Sequence, residues 1–303
     1  MKLFKKVMAA GMVAAMSLSL MACGGSAEEN EEVSVSQDTI EASEGEVSGD
    51  TAVETTDSNS VITFGTNAEF PPFEFVSSNG VIDNYDGIDM AIANEIASQC
   101  GSKAAINNME FDSLILALQN GQVDAVIAGM TITDERKEAV DFSVPYYTAT
   151  QVMIVKEDSD IKTAADMKDK KIVVVQGYTG ETCVKEMGYE YEAFKKGSET
   201  ILELVNGKCD VVVIDSATAE KYVGDNEGLK IVEDSSAFEA EEYGIAVKKG
   251  NTELLDKINT AIKSMLDSGK IGEISAQYLD AEADSASDSD AASATEPSIT
   301  EVE

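Results

Sequence analysis

Histidine and tryptophan are absent from this 303-residue chain, arginine occurs once, and proline and cysteine occur four times each. The missing histidine removes the commonest general base and the commonest metal ligand, so Ser-His-Asp, Cys-His and zinc-enzyme chemistries lose their central group. Positive charge is also scarce, with 22 Lys and Arg against 57 Asp and Glu and a net charge of −35. A surface this acidic repels phosphate backbones and excludes nucleic acid as a partner. The cysteines at 23, 100, 183 and 209 do not have metal-site spacing, so neither a metal nor another cofactor is expected.

What remains is unevenly distributed. Residues 24–60 hold 11 acids and no base, residues 280–303 hold 8 acids and no base, and the core 61–279 keeps 38 acids against 19 bases. Both flanking stretches are Ser-, Thr-, Glu- and Asp-rich and lack aromatic residues, so they cannot bury enough apolar surface to offset their ordering entropy. The first is expected to be a flexible tether and the second an acidic disordered tail. Ahead of the tether, Lys2, Lys5 and Lys6 precede the apolar run 7–21, then Ala22 and Cys23. That run is shorter than the roughly 20 residues a bilayer needs, which makes residues 1–22 a signal peptide rather than a span. The string LMAC, followed by Gly24 and Gly25, resembles a bacterial lipobox. That resemblance implies a lipidated Cys23 as first mature residue and a chain anchored at the extracytoplasmic face of the cell membrane.

The core alternates strand-like and helical runs, which implies an α/β sheet with crossover connections. Val61–Thr66, 123–128, 171–175 and 210–214 are β-branched or apolar runs. Helical spacing marks 87–99, 112–120 and 252–266, with Gly121 where a C-terminal cap belongs. Two further strand-like runs, 151–156 and 243–248, are placed to join two lobes. On that reading residues 61–149 plus 242–279 form the first lobe and 150–241 the second.

The single arginine, Arg136, falls in the stretch FDSLILALQNGQVDAVIAGMTITDERKEAVDFSVPYY, residues 111–147. Thr133 is placed to cap a helix starting at Asp134, which puts Arg136 in its first turn. A rigid guanidinium fork there suits two-pronged carboxylate binding. The bland alternative is a surface ion pair with Asp134, Glu135 or Asp141. A chain with 21 lysines and one arginine nonetheless suggests that position 136 needs something lysine cannot supply.

The same stretch, together with TNAEFPPFEF (66–75), GIDMAIANEIA (87–97), VQGYTGE (175–181) and NGKCDVVVIDSATAEKYV (206–223), resembles the amino-acid-binding proteins of ABC importers, the family-3 extracellular solute-binding proteins. The resemblance implies a two-lobed periplasmic-binding-protein type II fold, each lobe a sheet flanked by helices and the two joined by hinge strands. It also implies a monomer that captures an amino acid and delivers it to a membrane permease. By position, Phe70 and Phe111 would flank the ligand side chain. The Gly129 carbonyl and Thr131 hydroxyl would meet its amino and carboxylate groups, Arg136 and the Thr179 N–H its carboxylate, and Asp215 its ammonium. Helix capping is the alternative for Asp215. Asn67 stands where some binders of basic amino acids have Asp, and Tyr178 departs from the threonine pair of many relatives. The side-chain preference is left open among glutamine, other polar, basic and cystine ligands. Two other uses of the fold are an adhesin or sensor domain and a cyclohexadienyl dehydratase-like enzyme, for which Glu69 would be the acid. Of the remaining cysteines, Cys183 and Cys209 could pair in an exported protein, leaving Cys100; buried free thiols are an equal reading.

Overall fold

The computed structural model describes residues 60–279. The expected signal peptide, Cys23, the tether and the acidic tail lie outside the described residues. Within them are two open sheets flanked by helices and a small antiparallel sheet of Glu69–Phe70, Glu74–Val76 and Tyr85–Asp86. The first runs in the order Lys103–Asn108, Val61–Thr66, Ala125–Val126, Ala246–Lys248, Val140–Phe142. The first three strands are parallel and Ala246–Lys248 is antiparallel to its neighbours. The second runs Tyr191–Phe194, Ile172–Val175, Val211–Asp215, Tyr147–Lys156, Leu229–Val232.

Each sheet follows from its residues. Ile172–Val175 and Val211–Asp215 are buried throughout, as continuous β-branched runs covered on both faces should be. Helix Ile88–Gln99 buries Ile88, Ile92 and Ile96 at a spacing of four, against the first sheet. Gly121 takes φ of 72° after helix Leu114–Gln119, the left-handed stop expected there.

Strand Tyr147–Lys156 links the sheets. Its first half pairs antiparallel with Ala240–Tyr243, and its second half lies between Val211–Asp215 and Leu229–Val232. These paired strands are the two hinge strands. Three strand expectations need correction. The run 151–156, expected to join the lobes, lies within the second sheet, and the hinge pairing falls on 147–150 just before it. The run 243–248 is not continuous but breaks at Gly244 and Ile245 as the chain leaves the hinge pairing for the first sheet. A Cβ on Gly244 would come within 2.8 Å of the Ile132 side chain. Of 123–128 only Ala125–Val126 pairs as a strand, and the chain then turns out at Gly129. Helix Lys270–Leu279, unforeseen, packs on helices Ile88–Gln99 and Thr252–Asp267. Cys100, Cys183 and Cys209 are free thiols. Among the described residues no helix is long and apolar enough to cross a membrane.

Candidate functional site

A small cavity lies between the C-terminal ends of the two open sheets, lined by Phe70, Phe111, Ala128, Gly129, Thr131, Arg136, Tyr178, Thr179 and Asp215. Seven of the eight residues expected from the sequence are therefore gathered in one place. Asn67 is the exception. It is buried, donates to the Met109 carbonyl at 2.9 Å and accepts from the Tyr178 hydroxyl at 3.1 Å, so it braces the cavity wall.

The aromatic wall is tightly fitted. Phe70 and Phe111 both meet Tyr178 edge-on, with ring centroids 5.3 and 4.7 Å apart. Tyr178 thus stands between the two phenylalanines expected to flank a ligand. Gly129 adopts φ of 51°, and a Cβ there would come within 2.5 Å of the Phe70 ring. Only glycine lets the backbone approach Phe70 this closely. Behind it, Asp89 accepts from the Gly129 N–H at 2.7 Å and from the Tyr146 hydroxyl at 2.8 Å. Burial raises the Asp89 carboxyl to about 6. Burial, and then the charge of Asp89, hold the carboxyl of its neighbour Glu74 well above the usual carboxylate range. Neither acid was singled out in the sequence.

Thr133 caps helix Asp134–Ala139 by accepting from the Arg136 N–H, as expected. Two of the three surface acids that could have claimed Arg136 have other partners: Asp134 pairs with Lys137 at 3.2 Å and Asp141 with Lys249 at 3.6 Å. The charge of the third, Glu135, acts on Arg136 more weakly than those of Glu241 and Asp215. The guanidinium lies over the Phe111 ring, 5.2 Å from its centroid, and donates to the Thr131 carbonyl at 2.7 Å and the Gly177 carbonyl at 3.0 Å. Those bonds fix its plane and leave donors of its five N–H groups for a ligand. Burial lowers its pKa, opposed by the charges of Glu241 and Asp215, and it stays cationic.

On the opposite wall, helix Thr179–Glu186 begins at the cavity, and its first N–H groups have no partner within the helix. Asp215 ends strand Val211–Asp215 and occupies the N-cap position of helix Ser216–Gly224, but its side chain makes no capping bond. Instead it accepts from the Tyr243 hydroxyl. Burial and then the charge of Glu241 push Asp215 up to about 7, against the hydrogen bonds from Tyr243 and Gln151. Glu241, which the sequence reading passed over, accepts from Thr131 Oγ1 at 2.9 Å and Thr179 Oγ1 at 2.7 Å. The signal available was strand alternation: with Tyr243 buried, residue 241 faces the same way, while 240 and 242 are exposed. Glu69 is absent from the lining and pairs with Lys196 at 2.7 Å.

The chain as a whole has known relatives. Residues 62–281 match the bacterial extracellular solute-binding proteins, family 3. The chain belongs to that family. This family-3 protein is 34% identical to a probable histidine-binding protein of Neisseria gonorrhoeae over 91% of its own length and 96% of the relative's. It is 35% identical to the arginine-binding extracellular protein ArtP of Bacillus subtilis, covering 72% of this chain and 86% of that one. Among solved structures, an ancestral arginine-binding protein bound to glutamine is 45% identical, with a TM-score of 0.68 covering 72% of this chain and 97% of that one. The family and these neighbours are solute-binding proteins, and the two-lobed architecture of this family-3 chain is theirs.

Proposed function

We propose that the chain captures a free α-amino acid for an ABC importer, and that a cationic side chain of the arginine or histidine kind is preferred. One observation underlies the reading: a single cavity presents a guanidinium, Arg136, and a buried carboxylate, Asp215, from opposite walls. A zwitterion is the complement of that pair. The ligand carboxylate meets Arg136 and the opening N–H groups of helix Thr179–Glu186, where a helix start favours an anion. The ammonium meets Asp215. Three acids, Glu241, Asp215 and Glu135, act on the one arginine, so a neutral zwitterion leaves a negative excess that a cationic side chain offsets. Phe70 and Tyr178 give such a planar cation aromatic surface. The names of the histidine- and arginine-binding relatives support this preference.

The lobes divide at 149/150 and 241/242, inside the paired hinge strands. Closure of residues 150–241 onto the rest excludes water and strengthens each charge contact in the cleft. The chain acts as a monomer, held at the extracytoplasmic membrane face through lipidated Cys23, and the closed form engages the permease. No turnover is required of it; the acid considered for a dehydratase, Glu69, is occupied by Lys196. Thermal-shift screening with the twenty amino acids, ornithine and cystine tests the reading. Stabilisation by arginine, histidine or ornithine above glutamine is expected. A ligand preference for glutamine or cystine overturns the cationic assignment, and silence across the panel overturns the function.

A further inference from the structure

Glu241 lies on hinge strand Ala240–Tyr243 and is not among the residues that line the cavity. One of its oxygens, Oε2, accepts from Thr131 Oγ1 at 2.9 Å, from Thr179 Oγ1 at 2.7 Å and, at the long distance of 3.4 Å, from the Gln151 amide. Thr131 follows a strand of the first sheet, and Thr179 opens a helix of the second. A single oxygen therefore takes both hydroxyl protons, one from each lobe. A carboxylate can only accept, and a threonine hydroxyl has one proton and two lone pairs. Once Glu241 has taken the proton, the Thr131 oxygen has only acceptor capacity left for the cavity. The Thr179 hydroxyl is committed further, since it also accepts from the Gln151 amide at 3.0 Å.

The polarity of the site follows from this bookkeeping of protons. A hydroxyl free to rotate could donate to a carboxylate or accept from an ammonium. With its proton drawn to Glu241, it suits an ammonium and repels an anion. We propose that Glu241 is a positioning residue that fixes Thr131 Oγ1 as an acceptor for the ligand's α-ammonium. Because the same oxygen holds Thr179, Glu241 orients Thr131 fully only when both lobes are seated, which ties ammonium recognition to closure. The proposal rests on the amino-acid-binding reading and adds a residue and a polarity that the reading itself does not require.

The test compares two ligands that differ only in the α-amino group: L-arginine and its des-amino analogue guanidinopentanoate, or L-glutamine and glutaramate if the wild type prefers the neutral side chain. Calorimetry on the wild type comes first. A protein that binds no amino acid overturns the functional reading itself, a failure distinct from any that follows. With binding established, Glu241→Gln is expected to weaken the amino acid about 10- to 100-fold, the scale of a lost hydrogen bond to a charged group. Affinity for the des-amino analogue should change less than about 3-fold. In a Thr131→Val background the same substitution should add little further loss, since the two residues act as one unit. Equal loss for both ligands, no loss for either, or full additivity with Thr131→Val overturns the proposal. If Glu241→Gln does not fold, Thr131→Val alone serves: selective loss of the amino compound supports the assigned polarity, and loss of both ligands alike overturns it.

Discussion

The two lobes meet the cavity in different ways. The first contributes side chains held on short, irregular pieces: Phe70 on a two-residue strand, Phe111 in a single 3-10 turn, Thr131 after a two-residue strand and Arg136 on a helix of six residues. The second contributes the ends of regular elements, with helix Thr179–Glu186 beginning at the cavity and Asp215 closing a fully buried strand. One wall is assembled from loops that are free to vary, and the other from helix starts whose N–H groups come with the fold. The difference suggests a division of labour. On the proposed reading the first lobe would meet the ligand with ring faces and the carboxylate-binding guanidinium, and the second with a helix start and the ammonium-binding Asp215.

Substitutions can break or sharpen this contrast. Arg136→Ala, which removes the first lobe's charged grip, should have the largest effect, about 2–5 kcal/mol of binding free energy, the range for truncating one partner of a buried charge pair. Titration calorimetry at constant pH checks it, and Arg136→Lys should restore only part because a single ammonium cannot reproduce the fork. On the second wall, Asp215→Asn should cost about 1.5–3 kcal/mol, the scale of a charge-assisted hydrogen bond, and should also flatten the pH dependence. Ligand ammonium requires the ionised carboxylate, and Asp215 titrates at about 7. Wild-type affinity should therefore fall, by up to about tenfold per pH unit, as pH drops below that value.

The unliganded protein should show the opposite trend. Between 3.8 and about 7 the folded chain holds the Asp215 proton that the unfolded chain has lost, so this residue makes stability decline as pH rises through that window. Melting temperatures of wild type and Asp215→Asn across pH 4–8 would show the difference. Gly129→Ala should cost about 1–3 kcal/mol of stability, because its Cβ would press on the Phe70 ring in a backbone conformation that alanine resists. Smallest is the cross-lobe pair of Glu69 with Lys196 at the partly exposed rim. Lys196→Ala should change affinity by about 0.2–1 kcal/mol, and by less at high salt.

Much of this was readable in the sequence where chemistry and position are local. Thr133 capping Arg136, Gly121 ending its helix and the buried β-branched strands each follow from a few neighbouring residues. Seven of the residues expected at a ligand came with motifs that bring their own context, and they line one cavity. Glu241 did not, because its partners Thr131 and Thr179 lie 110 and 62 residues away, and strand alternation with Tyr243 gives only the direction it faces. The Glu74–Asp89 pair stayed hidden for a related reason. Acids in a sequence read as solvated, and only the fold shows that both are buried behind Gly129. The break at Gly244 depends on two sheets competing for one returning strand, which no periodicity encodes.

The absence of tryptophan has a practical consequence once Tyr178 is placed. Intrinsic ultraviolet emission from this protein comes from its nine tyrosines. Tyr178 belongs to the second lobe, yet its ring meets Phe70 and Phe111 and its hydroxyl meets Asn67, all of the first. Separating the lobes would move that phenol from a dry aromatic socket into water. The molecule therefore contains its own optical reporter of closure, and a Tyr178→Phe control would show which part of the signal belongs to it.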